Sequence, residues 1–444
     1  MDVTPKVFLV IRRRIMKATD AVIAGLKNGE YNDKLKYMYA CGDDKVSYYA
    51  DRYVEVIGEF TKTYGEAPDI ALFSAPGRTE IGGNHTDHQH GCVLAGSVNL
   101  DVIAAARPNG TNTVRVQSRN YKMDVIDLDD LEIHEEQFDK AIALIRGTLK
   151  YFVDKGYKVQ GFDAYTISNV LKGSGMSSSA AFEVLIGTII NGLFANNEIS
   201  PVEIAQIGQY AENVYFNKPC GLMDQMASSV GSVVAIDFKD TQKPVVEKVD
   251  FDLAKHGYAL CIIDSGADHA DLTDEYATIP ADMKSVAAYF GKEYLREVDP
   301  TEFLANIKNI REKLHNDRAV LRAFHFFRDN EAAQAEVEAI KADDFDKFLS
   351  LVKKSGQSSF MYLQNVYASS MPEALAVAVV IAMCDEILGD KGAYRVHGGG
   401  FAGTIQAFVP LEILDEFKSK IEAVTGEGMC HVLSIRPVGG YELK

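Results

Sequence analysis

One segment constrains the fold more than any other. Lys172-Gly173-Ser174-Gly175-Met176-Ser177-Ser178-Ser179-Ala180 runs directly into an apolar stripe at Phe182, Leu185, Ile186, Ile189 and Leu193. Those spacings predict a helix with one buried face. Gly187 and Gly192 inside it cost stability and imply close packing on another element. A glycine-rich loop opening a buried helix presents unpaired backbone N–H groups and a positive dipole end, so it can hold polyphosphate without any basic cluster. The plainer alternative is a serine-rich helix cap. The segment is not a Walker A loop, because no Gly-x-x-x-x-Gly-Lys-[Ser/Thr] occurs in the chain. It is not a dinucleotide fingerprint either, since serine stands where the third glycine belongs.

Charge makes this local mode of phosphate binding necessary. The 444 residues carry a net charge of -17, which repels nucleic acid and anionic lipid and excludes a basic phosphate-binding surface. With 47% hydrophobic and 25% charged residues the chain has a globular balance. Its length predicts two large lobes, at roughly 100 to 200 residues per domain. Cys41, Cys92, Cys220, Cys261, Cys384 and Cys430 are scattered without metal-ligand spacing, as expected of buried free thiols in a reducing cytosol. The apolar run Val7 to Ile11 precedes Arg12, Arg13 and Arg14, the reverse of a secretory signal. No stretch approaches the roughly 18 apolar residues of a membrane span. A cytoplasmic protein is expected, with no nucleic-acid or membrane partner.

Residues 1 to about 68 read as mostly helical. Ile70 to Ser74 and Val93 to Ala106 read as strands bounded by turn residues. Ser200-Pro201-Val202-Glu203 combines a cap, a proline at the first helical position and a capping-box glutamate, which starts a helix running to about Asn217. The second half alternates helical patterns (Pro280 to Tyr294, Glu302 to Phe327, Phe345 to Ser355, Pro372 to Leu388) with strand-like runs at Ala259 to Ile263, Thr404 to Val409 and His431 to Pro437. The class is α+β.

Three further segments carry chemistry. Gly77 through Gly91 packs Arg78, Asn84, His85, Asp87, His88 and His90 between glycines, donors and acceptors suited to a polyol. Three histidines and an aspartate could instead ligate zinc. Cys220-Gly221-Leu222-Met223-Asp224-Gln225 sets a carboxylate in an apolar turn, as a cap or as a base held ready. His397-Gly398-Gly399-Gly400-Phe401-Ala402-Gly403 implies a tight turn or close approach to a ligand.

In this order, the four segments resemble the motifs of the GHMP kinase superfamily, and specifically of the galactokinase family. Ser74 through Asp87 is similar to the galactokinase signature, Gly173 to Ala180 to the phosphate loop, Gly221 to Gln225 to the catalytic segment, and Gly398 to Gly403 to the C-terminal glycine motif. The resemblance implies a two-lobed fold with ATP and sugar in the cleft, divided here into lobes 1–220 and 221–444. It implies ATP-dependent phosphorylation of the anomeric hydroxyl of galactose or a close relative, by a monomer or homodimer. Asp224 matches the general base, and Arg78 the residue that keeps it ionised and neutralises the transferring group. Gly173, Ser174, Gly175, Met176, Ser177, Ser178, Ser179 and Ala180 match the ATP-binding loop, and Ser179 with Glu212 the Mg²⁺ ligands. Asn84, His85, Asp87, Gly221 and Tyr276, together with Arg78 and Asp224, match sugar contacts.

Two departures qualify the match. Typical galactokinases have Glu-His-x-Asp-Tyr where this chain has Asn84-His85-Thr86-Asp87-His88, and in the family that glutamate binds the sugar's C6 hydroxyl. A neutral Asn84 followed by His88-Gln89 is similar to galacturonate kinases, so a C6-altered galactose is an alternative substrate. Some fungal relatives are non-catalytic sensors lacking part of the Ser-Ser-Ala run, but Ser178, Ser179 and Ala180 are all present here. The second departure is an N-terminal extension of some forty residues, expected to cover the outer face of its lobe or to form an oligomer contact.

Overall fold

The computed structural model describes residues 16–171, 175–218, 220–241, 243–267 and 272–444. The run Val7 to Ile11, the arginines after it, and Gly173 and Ser174 of the phosphate loop lie outside the described residues. Helices and sheets are mixed throughout, as the α+β class requires.

Two strands, Asp69–Gly82 and Cys92–Pro108, form the antiparallel centre of a nine-stranded sheet. Both are buried along most of their length, so neither shows the apolar–polar alternation of a half-exposed strand. Successive residues instead face two different cores. Phe73, Ala75, Val102, Ala104 and Ala106 pack with Val184, Leu185 and Ile189 of the helix Ser178–Phe194. Leu72, Ile103 and Ala105 face the other way, onto Val56, Ile57 and Phe60 of the helix Asp43–Tyr64.

The N-terminal extension is therefore the lid of the sheet's second face, built from the helices Thr19–Asn28, Asn32–Tyr39 and Asp43–Tyr64. A buried charge ties it down. Asp101, with no exposed surface, accepts from Arg52 at 2.6 Å, Tyr39 at 2.6 Å and Arg436 at 3.1 Å, and also from Ser74. Burial alone would raise its pKa, but Arg52 and Arg436 hold it below the usual carboxylate range.

The sheets do not divide at residue 220. Val233–Asp237 and Val245–Val249 extend the first sheet, and Tyr441–Leu443 returns to pair with Asp69–Gly82. The second sheet has four antiparallel strands in the order Ala393–Val396, Thr404–Pro410, Tyr258–Asp264, Cys430–Leu433. Leu260 and Ile262 of this sheet and Val337 of the helix Asp317–Lys341 join the core under the first. Cysteines are free throughout; Cys41 and Cys220 are only half-buried. No helix among the described residues is long and apolar enough to cross a membrane.

Candidate active site

The phosphate loop and the sugar-signature strand are stitched together through glycine. Backbone N–H of Arg78 donates to the Met176 carbonyl at 3.2 Å, and a Cβ on Gly77 would lie 3.1 Å from that oxygen. Gly175 (φ +69°) and Ser177 (φ +49°) are left-handed, which turns the chain sharply into the helix Ser178–Phe194. Ser177 occupies the cap position without capping: its hydroxyl donates to Asp224 Oδ2 instead. The first N–H groups of the helix are thus left uncapped by a side chain, in half-buried surroundings at Ser178 and Ser179.

Asp224 stands in the first turn of the helix Met223–Val230. Arg78 Nε donates to its Oδ1 at 2.7 Å, and Arg78 also reaches the Gly175 carbonyl. Burial pushes the Asp224 pKa up, but the Arg78 charge and the hydrogen bonds from Arg78 and Ser177 override it and hold the carboxylate below its usual range. An ionised carboxylate, a fixed guanidinium and a helix N-terminus therefore meet at one point.

A cavity of about 220 Å³ opens there, lined by Arg78, Glu80, His85, Asp87, His88, Cys220, Gly221, Met223, Asp224, Gly398 and Gly399. It is smaller than the roughly 300–1,000 Å³ of drug-sized sites, as a monosaccharide requires. A larger concavity of about 990 Å³, lined by Tyr258, Lys353, Lys391 and Glu412 among others, lies at the opposite end of the second sheet, and none of the expected residues faces it.

The structure brings Arg78, His85, Asp87, Gly221 and Asp224 to the small cavity. Gly221 lies close under Asp87: a Cβ there would sit 2.8 Å from Asp87 Oδ2, so a larger residue would move that carboxylate. His85, left-handed at φ +57°, bonds the Gly399 carbonyl through Nε2 at 3.0 Å. Burial, with His88 nearby, lowers its pKa to about 4, so the ring is neutral. His90 stacks on Tyr294 at 3.7 Å, so the three histidines do not converge on a metal.

Asn84 and Tyr276, expected at the sugar, are not among the residues lining the cavity. Asn84 is fully buried and already spent. Its Nδ2 donates to Glu80 Oε1 and to the Gly398 carbonyl, both at 2.8 Å, while its Oδ1 accepts from Asn365 at 2.9 Å and Ser359 at 3.3 Å. Its backbone is held too, with N–H donating to Asp329 at 2.6 Å and its carbonyl bonded to His325 at 2.8 Å. These bonds occupy the amide fully, so Asn84 stands as a hub behind the loop and does not line the cavity. Gln89 is buried as well, accepting from the Leu295 N–H at 3.0 Å, which leaves only His88 of that pair in the cavity. Tyr276 does not line the cavity; its hydroxyl donates to Gly400 at 2.8 Å and its ring packs where a Gly399 Cβ would be.

Glu212, within the π-helical turn Ala211–Tyr215 that continues Pro201–Tyr210, is buried beside Glu183. Gln225 Nε2 bridges them, at 2.8 Å to Glu212 and 3.0 Å to Glu183, and Lys218 lies 3.4 Å from Glu212. Burial and the Glu212 charge push the Glu183 carboxyl well up, and its Oε1 is buried without a partner.

Comparison with known proteins bears on the family and the fold. The family model for the galactokinase galactose-binding signature matches residues 58–108, and that for the GHMP kinase N-terminal domain matches residues 143–232. A galactokinase of Glaesserella parasuis is 31% identical over 373 residues, 82% of this chain and 91% of that one. A galactokinase of Actinobacillus pleuropneumoniae is 31% identical over 370 residues, 81% and 90% of the two chains. Among solved structures, Lactococcus lactis galactokinase complexed with galactose superimposes with a TM-score of 0.75 at 22% identity, over 88% of this chain and 99% of that one. Methanococcus jannaschii mevalonate kinase superimposes with a TM-score of 0.58 at 13% identity, over 82% and 98%.

Proposed function

The chain belongs to the galactokinase family, and from that premise we propose that it transfers the γ-phosphoryl group of ATP to the anomeric hydroxyl of galactose. The observation that carries the reading is the Arg78–Asp224 pair, set 2.7 Å apart at the mouth of an uncapped helix N-terminus and a monosaccharide-sized cavity. Asp224 orients the C1 hydroxyl; the C1 oxygen bonds phosphorus as the bond to the leaving ADP breaks, and Asp224 accepts the hydroxyl proton as that bond forms. Because Arg78 holds the carboxylate's pKa down, Asp224 is a weak base, and proton transfer comes late. Little covalent help is needed, since phosphoryl transfer is accelerated mainly by positioning and charge. Arg78 neutralises the transferring group, and the N–H groups at Ser178, Ser179 and Ala180 bind phosphate oxygens.

Mg²⁺ fits the residues present. Glu212 and the Ser179 hydroxyl would hold it, hard oxygens of the kind Mg²⁺ takes, and the buried Oε1 of Glu183 beside Glu212, unpartnered among the described residues, is a further oxygen that a cation would engage. When bound it supplies charge neutralisation for the phosphates. Galacturonate loses its footing as substrate, because that reading needed Asn84 to face C6.

The test is ADP release over galactose, galacturonate, galactosamine, N-acetylgalactosamine, arabinose, fucose and glucose. Galactose is expected to lead. A panel in which galacturonate leads, or in which no sugar is turned over, overturns the reading. Asp224→Asn is expected to lose about 10²- to 10⁴-fold in kcat; near-full turnover would remove Asp224 from its role.

A further inference from the structure

Glu80 has no assigned part in the site, yet it lines the cavity. It lies two residues from Arg78 on one strand, in unbroken register (Arg78 opposite Ser97, Glu80 opposite Ala95), so both side chains leave the same face. Their separation along the strand is about 6.5–7 Å, the span of a pyranose ring whose reacting end is held by Arg78 and Asp224.

The carboxylate is held from behind and open in front. Its Oε1 accepts from Asn84 Nδ2 at 2.8 Å and from Arg395 at 2.9 Å. Arg395 is itself fixed, donating to the Ile81 carbonyl at 2.6 Å and the Val396 carbonyl at 3.1 Å. Oε2 has no partner among the described residues. Asn84, the neighbouring candidate for reading the sugar, spends its Nδ2 on Glu80 and the Gly398 carbonyl and its Oδ1 on Asn365 and Ser359. Resting on the galactose reading above, we propose that Glu80 is the specificity-determining residue: its free oxygen accepts a hydrogen bond from a hydroxyl at the end of the ring remote from C1, and its charge repels a sugar bearing a carboxylate there.

Charge at this position is adjustable. Burial raises the Glu80 carboxyl to about 7, against the opposing pull of Arg395, Arg78 and Asn84 and with a further push from Asp87. Glu336, on the helix Asp317–Lys341, also faces it, and the Glu80 backbone N–H meets the His397 ring at 3.3 Å. The carboxylate is thus mostly charged at pH 8 and mostly neutral at pH 6, while a uronic acid stays ionised at both.

The experiment compares kcat/KM for galactose and galacturonate. At pH 8 the unaltered protein is expected to prefer galactose by at least about a hundredfold, and Glu80→Gln, which can keep both Oε1 bonds, to narrow that ratio at least tenfold. An unchanged ratio in a folded Glu80→Gln protein overturns the proposal. If that variant does not fold, the pH arm decides. In a His88→Gln background, which removes the neighbouring imidazole, the ratio must narrow at least fivefold from pH 8 to pH 6; a ratio independent of pH overturns the proposal. Loss of galactose turnover by the unaltered protein is a separate outcome and overturns the kinase reading instead.

Discussion

Asn84→Asp separates what the sequence suggests from what the structure shows, because the two readings predict opposite signs. If residue 84 faced the sugar, a carboxylate there would strengthen a bond to the C6 hydroxyl and improve galactose turnover. In the structure the Nδ2 group donates to Glu80 Oε1 and to the Gly398 carbonyl, both at 2.8 Å, in a fully buried position. An aspartate donates neither bond and brings a second carboxylate against Glu80. Losing a bond to a charged group costs about 1.5–3 kcal/mol, and stranding a buried carbonyl about 1–3 kcal/mol. Together these give about 2.5–6 kcal/mol while the introduced carboxyl is ionised. Protonation returns one donor, so the loss falls to about 1–3 kcal/mol at low pH. The new carboxyl has a folded-state pKa above its unfolded value. The folded state therefore binds more protons, and stability falls as pH rises. Thermal melts should show a drop of about 3 °C for a 3 kcal/mol loss, from an unfolding entropy of about 2.1 cal/mol/K per residue over a chain of this length, larger at pH 8 than at pH 6. The KM for galactose should rise more than that for ATP. A variant with an unchanged melt and improved kcat/KM for galactose would refute the placement of Asn84.

Two other substitutions probe the frame around the site. Gly221→Ala would put a Cβ 2.8 Å from Asp87 Oδ2; displacing a positioning group by about 1 Å costs up to about 10²-fold, and the loss should fall on the sugar's KM, with ATP's KM moving less than about twofold. Asp101→Asn leaves the buried Arg52 and Arg436 without their counter-charge and should cost about 3–5 kcal/mol in urea unfolding at pH 7. Asp101 has a depressed pKa, so its contribution is present above the unfolded carboxylate pKa and is lost as pH falls through the folded value. The variant's stability should therefore decline less steeply in acid than that of the unaltered chain.

Legibility in the sequence tracks the range of the interactions involved. The helix Ser178–Phe194, expected from its apolar stripe, and the Ser200 cap, whose hydroxyl accepts from the Glu203 N–H at 3.2 Å, rest on residues a few positions apart. Glu302 to Phe327 reads as one helix but is cut into Pro300–Ala305, Ile307–Leu314 and Asp317–Lys341. The left-handed His315 and the Asn316 cap mark the second break, a local signal that the apolar periodicity overruns. Pro280 falls inside Thr273–Tyr289 and does not open a helix there. The burial of Asn84 is not legible, because His325 and Asn365 approach it from 241 and 281 residues away. Glu80 could have been found, since period-two alternation from Arg78 places it on the same face of the strand.

The strand Tyr441–Leu443 completes the sheet begun at Asp69–Gly82, and Arg436 reaches Ser74 across 362 residues. During synthesis, at about 5–20 residues per second, the first sheet must wait until the whole second sheet has left the ribosome before that edge is paired and Asp101 receives its second arginine. The N-terminal helices, made first, can shield the apolar face of the waiting strands throughout that interval, which gives the extension a role in the chain's birth that is distinct from anything it contributes to catalysis.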